Sequence, residues 1–442
     1  MMKFLDLFWR VIKHDLVSGS FYVFVGFFIS SILAFIFNLF LARSLSYAEY
    51  GTYSSLLSIL TLATIPAGSL SVVVVRFATS YFANDDIDHA SSFYKKSLMF
   101  WGFIGIFIFI LYAILSPFLA SFLKITEIGT VLIIGGAISA SYFGVSNSTF
   151  LQALTKFKYI SFVSGVTMLT RLVFGVVVIF SGYGLFGATG AILVSIIVGF
   201  VFGIIPLKFL LFHKAKNVDL HIKEIIKYGL PASFSILFLS SFISSDILLV
   251  KHFFTSHEAG FYGGMSLVGK VIFYFTGTVP MVMFPLLIKR EAKGESVRNL
   301  LYLSFILVLI PSISITLFYF LFPEFTIRLF LGGRDYLSFA DYLGFFGIFI
   351  AVFSLNNILL NFFLSLKKTF VVYLVGAGAL LQLVLIGLFH SNFDQIISAN
   401  IISSLFLLLI LLIYYVKEYG LHNVKEQRSK NVDQGSNFTS PQ

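Results

Sequence analysis

The sequence predicts an all-α polytopic membrane protein: twelve transmembrane helices in two six-helix lobes, related by a pseudo-twofold axis along the membrane normal. Three observations carry this prediction: the apolar content of the chain, the alternation of Lys and Arg between its connections, and an internal repeat. Of 442 residues, 58% are hydrophobic and 11% charged, with mean hydropathy +0.97. A soluble domain carries about a quarter charged residues, so much of this apolar surface must face lipid. At roughly 20 residues per span, the apolar content allows about twelve spans and leaves no room for a large soluble catalytic domain. The chain has no cysteine, which excludes disulfides, thiolate metal sites and a cysteine nucleophile. The net charge of +10 is read as basic loops facing the cytoplasm, with no nucleic-acid partner.

Apolar runs long enough to cross a bilayer fall at 18–42, 52–75, 97–123, 128–154, 159–180 and 184–210 in the first half. In the second half they fall at 229–252, 260–287, 299–322, 339–364, 369–389 and 395–416. Helices are required because the runs are twice the length of barrel strands. Segment 1–17 reads as a cytoplasmic interfacial stretch, 18–212 as the N-terminal lobe and 213–228 as a cytoplasmic linker. Residues 229–416 form the C-terminal lobe and 417–442 a polar cytoplasmic tail. The first apolar run is too long for a signal peptide. Counted from a cytoplasmic N-terminus, 23 Lys and Arg fall in even connections and termini. Only five (Arg43, Lys124, Lys251, Arg328 and Arg334) fall on the opposite side. That bias predicts both termini in the cytoplasm.

The repeat has a constant offset of 209 residues. Glu49, Gly51 and Tyr53 match Glu258, Gly260 and Tyr262 in a Glu-x-Gly-x-Tyr pattern; Asn147 matches Asn356, Gln152 matches Asn361 and Lys158 matches Lys367. With a one-residue slip, Asn38 falls on Asp246 and Arg43 on Lys251. Six spans return the chain to its starting side, so both halves insert with the same orientation. Two such bundles around a midplane site are the architecture of secondary transporters.

Charged residues within spans are costly and mark functional positions. Arg171 lies halfway along the fifth span, Lys270 near the middle of the eighth and Asp246 in the outer third of the seventh. In a regular hairpin, Asp246 and Lys270 would differ by ~10 Å in depth, too far to pair. Arg171 and Lys270 are therefore expected to await an anionic group on a substrate, such as a phosphate; the competing reading has both reaching backbone carbonyls or water. Asp246, with Asn38 as its repeat mate, could bind H+ or Na+ as a coupling ion, or pair structurally with Arg43 or Lys251. Arg43, Lys251, Asn147, Gln152, Asn356 and Asn361 are candidates for cavity or gate positions, against a background in which such amides tie helices together. Gly51 and Gly260 suit close helix approach, and Tyr53 and Tyr262 are expected at the outer interface. No nucleotide fingerprint and no HExxH motif occurs, so no catalytic residue, cofactor or metal is expected.

The stretch Asn38 to Tyr53 (NLFLARSLSYAEYGTY), the end of the fourth span from Leu151 to Phe157, and Pro231 at the start of the seventh resemble the polysaccharide transporter branch of the MOP exporter superfamily. That branch includes the Wzx-type O-antigen flippases. The resemblance implies a non-enzymatic flippase in a bacterial inner membrane, carrying an undecaprenyl-pyrophosphate-linked oligosaccharide to the periplasmic leaflet by ion-coupled alternating access. It also implies a cationic central cavity, which Arg171 and Lys270 fit, membrane lipids as surroundings, and contact with other polysaccharide assembly proteins. Lipid II flippases of the superfamily resemble the pattern too, but typically carry two further spans. A MATE-type multidrug antiporter is the alternative, for which acidic cavity residues are expected; an integral-membrane polymerase is a further one, for which a long outer loop is expected.

Overall fold

The computed structural model describes residues 15–213, 222–292 and 296–420. Among them every regular element is helical and there is no strand. The interfacial segment before residue 15, the centre of the 213–228 linker and the tail beyond 420 lie outside the described residues. Ten helices are long and apolar enough to cross a membrane, and a bent pair, Gly229–Ser241 with Ser245–Phe253, makes an eleventh. The helix Asp15–Ser44 occupies the position of the first span. The expected order is therefore observed, with the second span lengthened to Tyr47–Ala83 and the third to Ile87–Phe122.

Helices one to six pack mainly on one another, as do seven to twelve, and the second span also packs along the seventh and eighth. The Glu-x-Gly-x-Tyr repeat has a local cause. Ser46 and Thr255 each open a helix with a reciprocal capping box: Glu49 N–H donates to Ser46 Oγ at 3.3 Å and Glu258 N–H to Thr255 Oγ1 at 3.2 Å. In return, Glu49 and Glu258 carboxylates accept the cap residues' own N–H at 3.0 Å. The two copies of the glycine then meet each other. A Cβ on Gly51 would lie 2.6 Å from Gly260 N, and one on Gly260 would collide with the Tyr47 carbonyl. The second and eighth spans thus cross at the repeated glycine, where the local twofold relation brings equivalent residues together.

The seventh and eighth spans are not continuous. The seventh breaks at residues 242–244 and bends by 47°. The eighth runs as Ser256–Gly269, Val271–Thr276 and Thr278–Ala292. A break frees backbone carbonyls, which must find donors in a low-dielectric interior. Two side chains supply them: Lys270 Nζ donates to Ile243 O at 2.8 Å, and Gln382 Nε2 to Phe242 O at 2.8 Å. One element was not expected from the sequence, the helix Pro323–Leu331 between the ninth and tenth spans. Its buried face is Thr326, Ile327 and Leu331, while Phe322, Phe325 and Leu329 are exposed at helical spacing, as suits a helix lying in a membrane interface.

Candidate transport cavity and its seal

A cavity of about 180 Å³ lies between the lobes. Asn38 comes from the first span, Tyr50, Ser54, Ser58 and Thr61 from the second, Ile243, Ser244 and Ile247 from the seventh at and just past its break, and Lys270 and Tyr274 from the eighth. Toward the capping boxes its wall is buried at Tyr50 and Ser266, whereas Thr61 and Tyr274, farther along the same spans, are exposed. The wall of the cavity is therefore buried toward the lysine-poor end and more exposed toward the lysine-rich end.

Lys270 combines both roles expected of it as alternatives. Its ammonium bonds the Ile243 carbonyl, and it also lines the cavity. As expected, it forms no ion pair within 4.0 Å with Asp246 among the described residues, although Asp246 is close enough for its charge to act on Lys270. The depth argument assumed a regular hairpin, and the breaks at 242–244 and Lys270 remove that regularity. Asp246 is fully buried. Tyr262 donates to its Oδ2 at 2.7 Å, Asn400 Nδ2 donates to Tyr262 Oη at 3.0 Å, and Gln382 Nε2 donates to Asn400 Oδ1 at 2.7 Å. Asp246 Oδ1 has no hydrogen-bond partner. Pairing of Asp246 with Arg43 or Lys251 is not observed. Tyr262 and Tyr53, expected at the outer interface, are both 1% exposed, because the twofold crossing turns these faces inward.

Arg171 sits in the first lobe, with Nε donating to Ser195 Oγ at 3.2 Å. This is its sole hydrogen bond among the described residues, so the terminal nitrogens remain available. It is not part of the cavity wall. Tyr53, in its neighbourhood, has no hydrogen-bond partner for its hydroxyl and stacks at 6.2 Å on the cavity residue Tyr50. Asn38 lines the cavity while its amide donates to Ala34 O at 2.7 Å.

The remaining candidates divide into ties and seals. Asn147 accepts from Tyr94 Oη at 2.7 Å and donates to Phe200 O at 3.0 Å. Asn356 donates to Ser404 O at 2.9 Å. These bonds join the fourth span to the third and sixth, and the tenth to the twelfth, so both asparagines act within lobes rather than between them. Asn361 bonds Asn357, four residues away, at 2.8 Å, and Gln152 is exposed.

Arg43, by contrast, crosses the lobes: Nε donates to Phe330 O at 2.8 Å and an Nη to Leu329 O at 2.5 Å. Those carbonyls end the helix Pro323–Leu331, which stops because Gly332 takes φ +80°. Nearby, Asp335 N–H donates to Tyr47 Oη at 3.2 Å, and Tyr47 packs on His257, Phe261 and Tyr336. On the other flank, Lys124 Nζ donates to Phe254 O at 3.1 Å and His252 stacks on Phe122 at 4.0 Å. Of this seam the sequence singled out Arg43 as a gate candidate; the acceptors of Arg43 and Lys124 are main-chain carbonyls, which carry no residue signature.

Two lobes of membrane helices around a charged interlobe cavity, sealed at one end, define the class: a polytopic membrane protein with the two-lobe fold of MOP-superfamily transporters. A multidrug resistance MATE family transporter of the MOP superfamily in an inward-facing conformation is 14% identical, with TM-score 0.68 over 88% of this chain and 96% of that one. The lipid II flippase MurJ in an inward closed conformation is 16% identical, with TM-score 0.71 over 95% of this chain and 93% of that one. The chain belongs to the polysaccharide biosynthesis protein family, whose model matches residues 40–341. Among curated proteins none matches.

Proposed function

We propose that the protein is a flippase that moves an undecaprenyl-pyrophosphate-linked oligosaccharide, an O-antigen unit or similar, from the cytoplasmic to the periplasmic leaflet of a bacterial inner membrane. The observation that carries this reading is the placement of Lys270 in an interlobe cavity whose wall is buried toward the capping boxes and exposed farther along the second and eighth spans. With both termini cytoplasmic, the lysine-rich end faces the cytoplasm, where such a carrier is assembled. The family match supports a saccharide cargo, and the similarity to a structure described as a lipid II flippase supports a lipid-linked one.

In this reading the anionic head meets Lys270, and Arg171 sets the field behind the Tyr50 and Tyr53 wall. The lipid tail stays in the bilayer. Asp246 supplies ion coupling: its unpartnered Oδ1 in a dry setting would take H+ or Na+, which removes the cost of an unsatisfied buried acceptor. Because Asp246 and Lys270 share a field, arrival of an anion at Lys270 alters the balance at Asp246 and links cargo to ion. Arg43 acts as part of the periplasmic gate.

The test is surface glycan in cells expressing Arg171→Ala or Lys270→Ala. Both variants are expected to lose surface polysaccharide at normal protein levels; full retention in both sinks this assignment of the cavity. The MATE-type alternative rests on Asp246 as a lone acid near the cavity. Asp246-dependent efflux of an organic cation, with glycan export intact, would favour it.

A further inference from the structure

We propose that Lys124, Lys251 and His252 form a second binding site, for a phosphate-class anion, at the sealed seam between the lobes. It rests on the flippase reading and extends it to the step after the central cavity. Lys251 is 0% exposed. Its ammonium has three N–H donors and, among the described residues, one hydrogen bond, to Ser256 Oγ at 2.6 Å. The charge that acts on it most is of like sign, Lys124 from the other lobe. Lys124 in turn spends a donor on the Phe254 carbonyl, 3.1 Å away. His252 follows directly on Lys251, with Nδ1 2.8 Å from Phe122 O and its ring parallel to the Phe122 ring. No carboxylate lies within 4.0 Å of either lysine among the described residues. The nearest in sequence are Asp246, five residues before Lys251 and bonded by Tyr262, and Glu127, three residues after Lys124; Glu258, seven residues after Lys251, is held by the backbone N–H and hydroxyl of Thr255.

A buried ammonium that feels a like charge across the seam and has no counter-charge within 4.0 Å is unfavourable, and an anion would relieve it. Here the closed seam satisfies the cations partially, with neutral acceptors contributed across the lobe boundary. When the lobes part at this end, Lys124 leaves Phe254 O and Lys251 becomes accessible. An anionic group then replaces dipoles with full charges, a stronger partner for an ammonium than a carbonyl. The cluster would receive the head group from Lys270 and hold the seam open until release. The shared chemistry is a phosphate or pyrophosphate; it can arrive on a lipid or free in solution.

The experiment uses full-length protein with Arg171→Gln and Lys270→Gln to silence the central cavity. Inorganic pyrophosphate is titrated calorimetrically, and, in parallel, vesicles carrying a polyprenyl pyrophosphate are titrated. Binding is expected to persist in this background, to weaken at least about tenfold with Lys124→Gln or Lys251→Met, as loss of a charge-assisted contact does, and to return with Lys251→Arg. Arg43→Gln, which loosens the seal without touching the cluster, should tighten apparent affinity because the anion binds only the parted seam. Binding of the free anion assigns the site to soluble phosphates as well; binding of the lipid form alone assigns it to the head group at the membrane boundary. Lys124 is exposed, so Lys124→Gln carries the test even if Lys251→Met fails to fold. Because Lys124→Gln also removes a seal contact, it is compared with Arg43→Gln present in both proteins, so that the seal is already loosened; equal affinity with and without Lys124→Gln there overturns the site. If glycan export fails in the Arg171 and Lys270 variants while Lys124→Gln changes nothing, the flippase reading stands and the seam site falls; if neither central variant affects export, the flippase reading falls by itself.

Discussion

At the scale of single residues, the most consequential side chain is Asp246, whose Oδ2 is bonded by Tyr262 and whose Oδ1 is bare. A carboxylate left half satisfied in a buried site costs about 1–3 kcal/mol or more relative to one fully bonded. On the proposed coupling role, a proton or cation bound at Asp246 would recover that cost. Asp246→Asn is therefore expected to remove the dependence of transport in vesicles on pH or Na+, because the amide can neither release a proton nor attract a cation. Unchanged dependence in Asp246→Asn refutes ion coupling at this position. Tyr262→Phe offers a graded version: it deletes one bond to Asp246 and one acceptor of Asn400 while keeping the ring, so the ion dependence should shift in midpoint without vanishing. Both charged residues near the midplane and Asp246 itself were legible in the sequence, since any ion in an apolar run stands out. The acceptor of Lys270 was not, because Ile243 O is freed only where the helix breaks.

At the scale of elements, two broken spans replace the regular hairpin that the sequence implied. Nothing in Ser241 to Ser245 forces a break by composition; there is neither Pro nor Gly among these residues. What sustains it is tertiary, with Lys270 and Gln382 satisfying the freed carbonyls. Gln382→Leu leaves both Phe242 O and Asn400 Oδ1 without their donor. It should lower stability by about 1–3 kcal/mol, read as an earlier unfolding transition in detergent. Asn361→Leu loses only a bond to its own helix and should cost less than ~1 kcal/mol, near the average for polar ties between membrane helices. Equal effects would mean that the break does not depend on Gln382. The repeated glycines teach the reverse lesson. Their pairing was visible at the 209-residue offset, and close approach was the right reason, but only the structure reveals that the partner of each glycine lies beside the other. The helix Pro323–Leu331 was taken for loop because nine residues with two charges carry too weak an apolar signal for a span.

At the scale of the whole molecule, the asymmetry between the two ends sets the direction of access. The lysine-poor end is closed by contacts on both flanks of the twofold crossing: Arg43 with Tyr47 on one and Lys124 with His252 on the other. Toward the lysine-rich end, Thr61 and Tyr274 are exposed, although Gly229 still packs on Leu70 between the second and seventh spans. The natural absence of cysteine makes this testable with one reporter. Thr61→Cys should react with a membrane-impermeant maleimide applied to inside-out vesicles and resist the same reagent applied to right-side-out vesicles. Adding Gly260→Ala should alter that balance, because a methyl group at the crossing collides with the Tyr47 backbone, which cannot rotate away as a side chain could. The sealed state then loses stability relative to its alternative, and labelling from the outer side should rise severalfold as the population shifts. If Thr61→Cys reacts equally from both sides before that second change, the sealed end is not a gate. If Gly260→Ala leaves a one-sided pattern intact, the glycine crossing is not what holds the gate closed, and Arg43 and Lys124 must bear that role alone.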